Sequence, residues 1–195
     1  MDKKQILIII SSIMTLVVVS MPFQWWYTSI GGMIQIQDSP FFVCMDVAQA
    51  NLNYTLMLPA NIILISFRIT EIFTSMIYLF YALFPSGSNN VRKVSMFPFY
   101  ASIFYLIDIV LFMIIVYATS GNVVMPLGSF DERISSGSPI ISSVLSMLGL
   151  SSPEFSANFV VRNYPLSMFY VALATGIFSL ITRIVSSDEK KNNDR

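Results

Sequence analysis

The sequence predicts a membrane protein of the all-α class, a four-helix bundle carrying a small β-rich cap on its extracytoplasmic side. Three observations lead there. The chain has 195 residues, 55% of them hydrophobic and only 11% charged, where soluble domains carry about 25% charged residues. With a mean hydropathy of +0.70, it has too little polar surface to face water all round. Four apolar stretches, 6–23, 59–84, 97–119 and 165–185, approach or exceed the roughly 20 residues a helix needs to cross a bilayer. Between the first two, the pattern changes from continuous apolar runs to alternation, the period of a strand.

The first stretch follows Met1-Asp2-Lys3-Lys4 and runs from Ile6 to Phe23. Its charged start and the sequence Val18-Val19-Ser20 also fit a cleavable secretory signal, but the run is long enough to span, and a signal anchor is the preferred reading. External segment 24–58 opens with Trp25-Trp26-Tyr27-Thr28-Ser29-Ile30, Gly31-Gly32 and the alternating Met33-Ile34-Gln35-Ile36-Gln37. That pattern predicts a β-hairpin on a two-glycine turn, with a third strand at 41–47. External segment 120–164 starts rich in Gly, Ser and Pro. In it Ile140, Ile141, Val144, Leu145 and Leu148 recur at helical spacing up to Gly149, and 155–162 reads as a further strand. Pro59, Pro98 and Pro165 mark the starts of the last three helices, where a missing amide proton costs nothing.

Orientation follows from the basic residues, which are retained on the cytoplasmic side of spanning segments. Lys3, Lys4, Arg92, Lys93, Arg183, Lys190, Lys191 and Arg195 fall on one side of the predicted spans, and Arg133 and Arg162 on the other. The expected location is the plasma membrane with both termini cytoplasmic.

The chemical inventory is short. There is no histidine, one cysteine (Cys44) and a net charge of zero. These features argue against imidazole catalysis, a zinc or haem site, an internal disulfide and a basic nucleic-acid surface. No phosphate-binding loop or nucleophile elbow is present, so neither enzyme activity nor a cofactor or metal is expected. Asp131, Glu132 and Glu154 read as a solvated loop surface.

What stands out is three ionisable residues inside predicted spans, Arg68, Glu71 and Asp108, since charge at membrane depth is expensive and marks an ion pair or a functional site. With Asn61, Ser75 and Tyr78, the first two form a stripe on one face of the second helix. An antiparallel hairpin of the second and third helices about Asn90–Val91 brings Asp108 to the depth of Phe73, which makes a buried cluster. Its preferred reading is structural, an ion-paired network that fixes helix packing. Its alternative is a carboxyl that exchanges protons or cations during transport.

Ala172 and Gly176 have the small-residue spacing of close helix approach. Trp25, Trp26 and Tyr27 read as an interfacial aromatic belt or a partner contact, and Asn53-Tyr54-Thr55 is a glycosylation sequon.

The order of parts resembles the claudin and peripheral-myelin-protein group. Pro22-Phe23-Gln24-Trp25 is similar to the Pro/Trp exit of that family's first helix. Cys44 followed by Asn51-Leu52-Asn53-Tyr54-Thr55-Leu56 looks like the stretch leading from its external sheet into the second helix, and Glu154-Phe155 echoes the approach to its fourth. The family's Gly-Leu-Trp motif is absent and its cysteine pair is reduced to one, so the disulfide that the resemblance implies cannot form. It implies a claudin-like fold and a role in adhesion, barrier formation or as an accessory subunit. The expectation is therefore a non-enzymatic scaffold, adhesion or accessory protein, whose partners are membrane lipids and other membrane proteins or a second copy of itself. A proton- or cation-coupled transport component is the alternative.

Overall fold

The computed structural model describes residues 3–53, 55–84, 94–120, 127–135 and 156–193. In chain order these form α1 (Lys3–Ser20), β1 (Trp26–Ile30), β2 (Ile34–Ser39), β3 (Phe42–Val47), β4 (Ala50–Asn51), α2 (Leu58–Leu83), α3 (Phe97–Ser120), β5 (Gly128–Ser135), β6 (Ser156–Pro165) and α4 (Ser167–Asn193). All four helices are long and apolar enough to cross a membrane. The predicted amphipathic helix at 140–148, Glu154 and the loop bearing Arg92 and Lys93 lie outside the described residues.

The segments between α1 and α2 and between α3 and α4 together build one antiparallel sheet, in the order β4-β3-β2-β1-β6-β5. The predicted hairpin is β1–β2. Gly31 (φ 60°) and Gly32 (φ 69°) supply two consecutive left-handed residues, and the Met33 N–H closes the turn on the Ile30 carbonyl at 3.1 Å. Glycine takes this backbone at no steric cost. β3 and β6 stand close to where the alternation put them. β5 does not, because Asp131 and Glu132, read as loop, lie within it and pair with Val160 and Phe159 of β6. Its acidic pair breaks the local apolar pattern, and pairing with a distant strand holds it. Pro165 ends β6 rather than opening a helix, and α4 starts at Ser167.

Helix packing differs from the expected hairpin. α2 lies along α1, α1 along α4, and α4 along α3, while α2 and α3 meet through few side chains. Pro98 and Phe99 stand against Gly176, Ala101 shares a core cluster with Ala172, and the Tyr105 ring meets that of Phe169 at 6.2 Å. α3 therefore begins partway down α4. Its last turns run about 20 Å past the start of α4, alongside the sheet, at about 1.5 Å per residue.

Sheet and helices join in one core of Val18, Val19, Trp25, Trp26, Phe41, Ala101, Met168, Phe169 and Ala172, with Phe97, Tyr105 and Ile109 packed around it. The β3 edge is closed by a side chain from α2. Asn61, 3% exposed, accepts the Val43 N–H at 2.8 Å and donates to the Val43 carbonyl at 2.9 Å, as a neighbouring strand would. Asn61→Leu is expected to lower stability by about 1–3 kcal/mol, the cost of leaving buried backbone groups unpaired. Thermal unfolding in detergent, with faster hydrogen exchange confined to the β3 edge, is the measurement that checks it.

Candidate functional site

The register gives the sheet two unlike faces. One carries Trp26, Thr28, Asp38, Val161 and Asn163 and turns toward the helices. Here the Trp26 indole and the Thr28 hydroxyl both donate to Asn163 Oδ1, at 2.6 and 2.8 Å, and so tie β1 to β6. The other carries Gln35, Gln37, Asp131, Arg133, Asn158, Val160, Arg162 and Tyr164, all exposed. Period-two alternation in β2 foretold the division there, and pairing extends it across the remaining strands.

Trp25 and Trp26 are 0% and 7% exposed. This corrects the reading of these two as a membrane belt or partner contact: they are core, with Tyr105 of α3 at 5.8 and 5.9 Å from their rings. Tyr27 lies on the outward face against Tyr164, at 5.1 Å. The Asn53 Oδ1 accepts the Met45 N–H at 2.7 Å, which gives the sequon asparagine a structural task at the sheet edge. Cys44, a free cysteine, accepts a hydrogen bond from Gln24 Nε2 at 3.4 Å, and burial pushes its thiol pKa up.

The three charges read in the predicted spans, Arg68, Glu71 and Asp108, do not form the expected cluster. Among the described residues Arg68 makes no ion pair; its guanidinium lies over the Phe41 ring at 5.1 Å, and its Nε has no hydrogen-bond partner. Glu71 Oε2 accepts the Ser95 hydroxyl at 3.2 Å, and Ser95 Oγ accepts the Phe97 N–H at 3.3 Å. Glu71 thus sits at the start of α3, where unpartnered amides and the helix dipole favour negative charge. That arrangement explains an acid on a long apolar helix that makes no ion pair among the described residues. Asp108 is exposed and neighbours Asp38 and Tyr105 at the foot of the sheet. The displacement of α3 toward the sheet is the reason, since it lifts Asp108 away from Arg68 and Glu71. Asn61, Arg68, Glu71, Ser75 and Tyr78 nevertheless share the packed face of α2, each with its own surroundings rather than one site.

Asp38 is the unusual acid of the sheet. Burial pushes its carboxyl up to about 6; the Tyr105 hydroxyl, donating to it, pulls the other way, and the Asp108 carboxylate adds to the rise. The unfolded carboxyl titrates near 3.8, so between about pH 4 and 6 the folded chain binds more protons than the unfolded chain. Stability is expected to fall as pH rises through that window and to level off above it. A tenfold difference in proton affinity is worth about 1.4 kcal/mol, and solvent screening brings the change to about 1–3 kcal/mol. Asp38→Asn should flatten the profile, read as melting temperature between pH 4 and 7.5.

A groove of about 450 Å³ beside α2, lined by Leu16, Phe73, Met76, Ile77 and Phe80 among others, is almost wholly apolar, with Tyr81 the one lining residue that carries a polar group. Among the described residues no three His, Cys, Asp or Glu side chains converge on a metal position. Ala172 and Gly176 are used within the chain, where they set the approach of α3 to α4. No protein-family profile matches the chain, and comparison with curated proteins and with solved structures likewise gives no match.

Proposed function

We propose that this chain is a non-enzymatic membrane scaffold or accessory subunit that meets other membrane proteins, or a second copy of itself, through the outward face of its sheet. The observation that carries this reading is the contrast between the two faces. One is fastened to the helices by buried tryptophans, while the other presents Gln35, Gln37, Arg133, Arg162 and Tyr164 to solvent on a rigid six-stranded frame. Exposed polar and aromatic side chains on such a frame suit specific contact. The basic residues at the end that carries the termini support an orientation with the termini in the cytoplasm and the sheet outside the plasma membrane. The order of helices and sheet segments supports a claudin-like reading. Transport through a joint Glu71–Asp108 site loses its geometry, because the two acids face different neighbours.

Extraction in mild detergent followed by affinity purification tests the proposal. A stoichiometric partner or a stable homo-oligomer is expected, and Arg133→Glu together with Arg162→Glu, both exposed on the outward face, should release it while leaving the melting temperature nearly unchanged. A wild-type chain that repeatedly emerges alone and monomeric would overturn the reading.

A further inference from the structure

Inside the bundle runs a seam of hydroxyls with no visible means of satisfaction. Ser12, Thr15, Ser75, Thr175 and Thr182 are between 0% and 2% exposed, and their side-chain oxygens have no hydrogen-bond partner. Helical hydroxyls have an easy alternative, which this chain uses elsewhere. Ser66, Thr70, Thr74 and Ser102 donate to the carbonyl four residues back, at 2.7 to 3.0 Å. The seam residues do not fold back in this way, which leaves their buried oxygens without a partner in the protein.

Helix register brings them together. The Ser11 and Ser179 hydroxyls meet at 2.8 Å, and since α1 and α4 are antiparallel, Thr15 stands opposite Thr175 one turn toward the sheet. Thr182 lies nearly one turn the other way. On the α2 side, Gln5 Nε2 donates to the Ala82 carbonyl at 2.7 Å, which sets Ser12 opposite Ser75 two turns further along. Toward the sheet the seam is closed by Val18, Val19, Trp25 and Ala172, all 0% to 1% exposed. Toward the termini Ile8, Ala82 and Val94 form a second buried apolar cluster, with the half-buried Ser186 beyond Thr182 on α4.

We propose that the interface of α1 with α4 and α2 binds a file of ordered water molecules, held between the Ile8–Ala82–Val94 cluster and the Val18–Val19–Trp25 layer. Buried hydroxyls left unpaired in a low-dielectric interior are costly, and ordered water is the usual remedy where several of them converge. The ligand is water rather than a metal cation: the lining hydroxyls are neutral, and Glu71, one turn from Ser75 on α2, is engaged by Ser95. With apolar clusters at both ends, the file is not a path across the bilayer. It does not rest on the scaffold reading.

The test is solid-state NMR of the wild-type chain in lipid bilayers, following magnetisation transfer from water to threonine side chains. Thr15, Thr175 and Thr182 are expected to receive it, as the exposed loop residue Thr55 does, while Thr70 on the exposed face of α2 stays dark. Interior threonines as dark as Thr70 would overturn the proposal. Isosteric Thr15→Val, Thr175→Val and Thr182→Val give a second readout. With bound water each lowers the melting temperature, by depriving the file of a partner. A rise in melting temperature would mean that an orphaned hydroxyl had been removed from a dry interface, and would equally overturn it.

Discussion

Gly176→Leu is expected to abolish the folded state, and Gly176→Ala to cost about 1–3 kcal/mol. A Cβ at this position would lie 2.6 Å from the Phe99 Cα, 2.7 Å from its nitrogen and 3.0 Å from the Pro98 carbonyl carbon. All three are backbone atoms, so no side chain can swing aside and α3 as a whole must move. Alanine is the better helix former by about 1 kcal/mol, which offsets only part of the overlap. Any movement of α3 also carries Tyr105 away from Trp26 and Phe169, which it meets at 5.9 and 6.2 Å. Damage at a glycine midway along a helix therefore reaches the foot of the sheet. Cys44, the one thiol of the chain, reports it: half-buried and with a raised pKa, it reacts slowly with a maleimide dye until the sheet loosens. Ala174→Leu, on the exposed side of the same helix, is the control and should change stability by no more than about 0.5 kcal/mol.

The parts of this fold that were legible in the sequence are those set by local physics. Apolar length gave the four helices, and alternation with Gly31-Gly32 gave the hairpin, because hydrophobic period and left-handed backbone are properties of a few neighbouring residues. Small residues at Ala172 and Gly176 announced a close contact, though nothing in the sequence named Phe99 as what they approach. The charged residues were misread together because their reading depended on a relation between helices. Putting Asp108 beside Arg68 and Glu71 required α2 and α3 to pair in register, whereas α3 pairs with α4 and is displaced toward the sheet. Ser95 was overlooked for the same reason: its role at the start of α3 exists only once Glu71 is across from it. β5 was missed because its order comes from β6, about 30 residues further along the chain.

Trp25→Ala is expected to cost about 3–5 kcal/mol, in the range for deleting a fully buried large aromatic side chain. Trp25 is 0% exposed and meets Phe41 edge-on at 6.3 Å and Tyr105 at 5.8 Å, so one indole touches both the sheet side and α3. Its backbone bonds do not depend on the ring, since the amide donates to the Asp38 carbonyl at 2.7 Å and the carbonyl accepts the Leu166 N–H at 2.8 Å. The chain path out of α1 therefore survives the substitution, while the joint loses its filling. Two readings of the joint then separate. If the sheet is held only through the helices, hydrogen exchange should rise together across Trp26–Val47 and β6, and Asp38 should titrate closer to an ordinary carboxyl as water reaches it. If the sheet keeps its protection while the melting temperature falls, it is a folding unit of its own, and the helices only carry it. The shared hydrogen bonds of Asn163 with Trp26 and Thr28 link two strands within the sheet and cannot replace the contact with α3, so the first outcome is expected. Trp25→Phe, which keeps an aromatic surface against Phe41, should recover part of the loss and show that packing rather than the indole N–H, which has no partner, holds the joint.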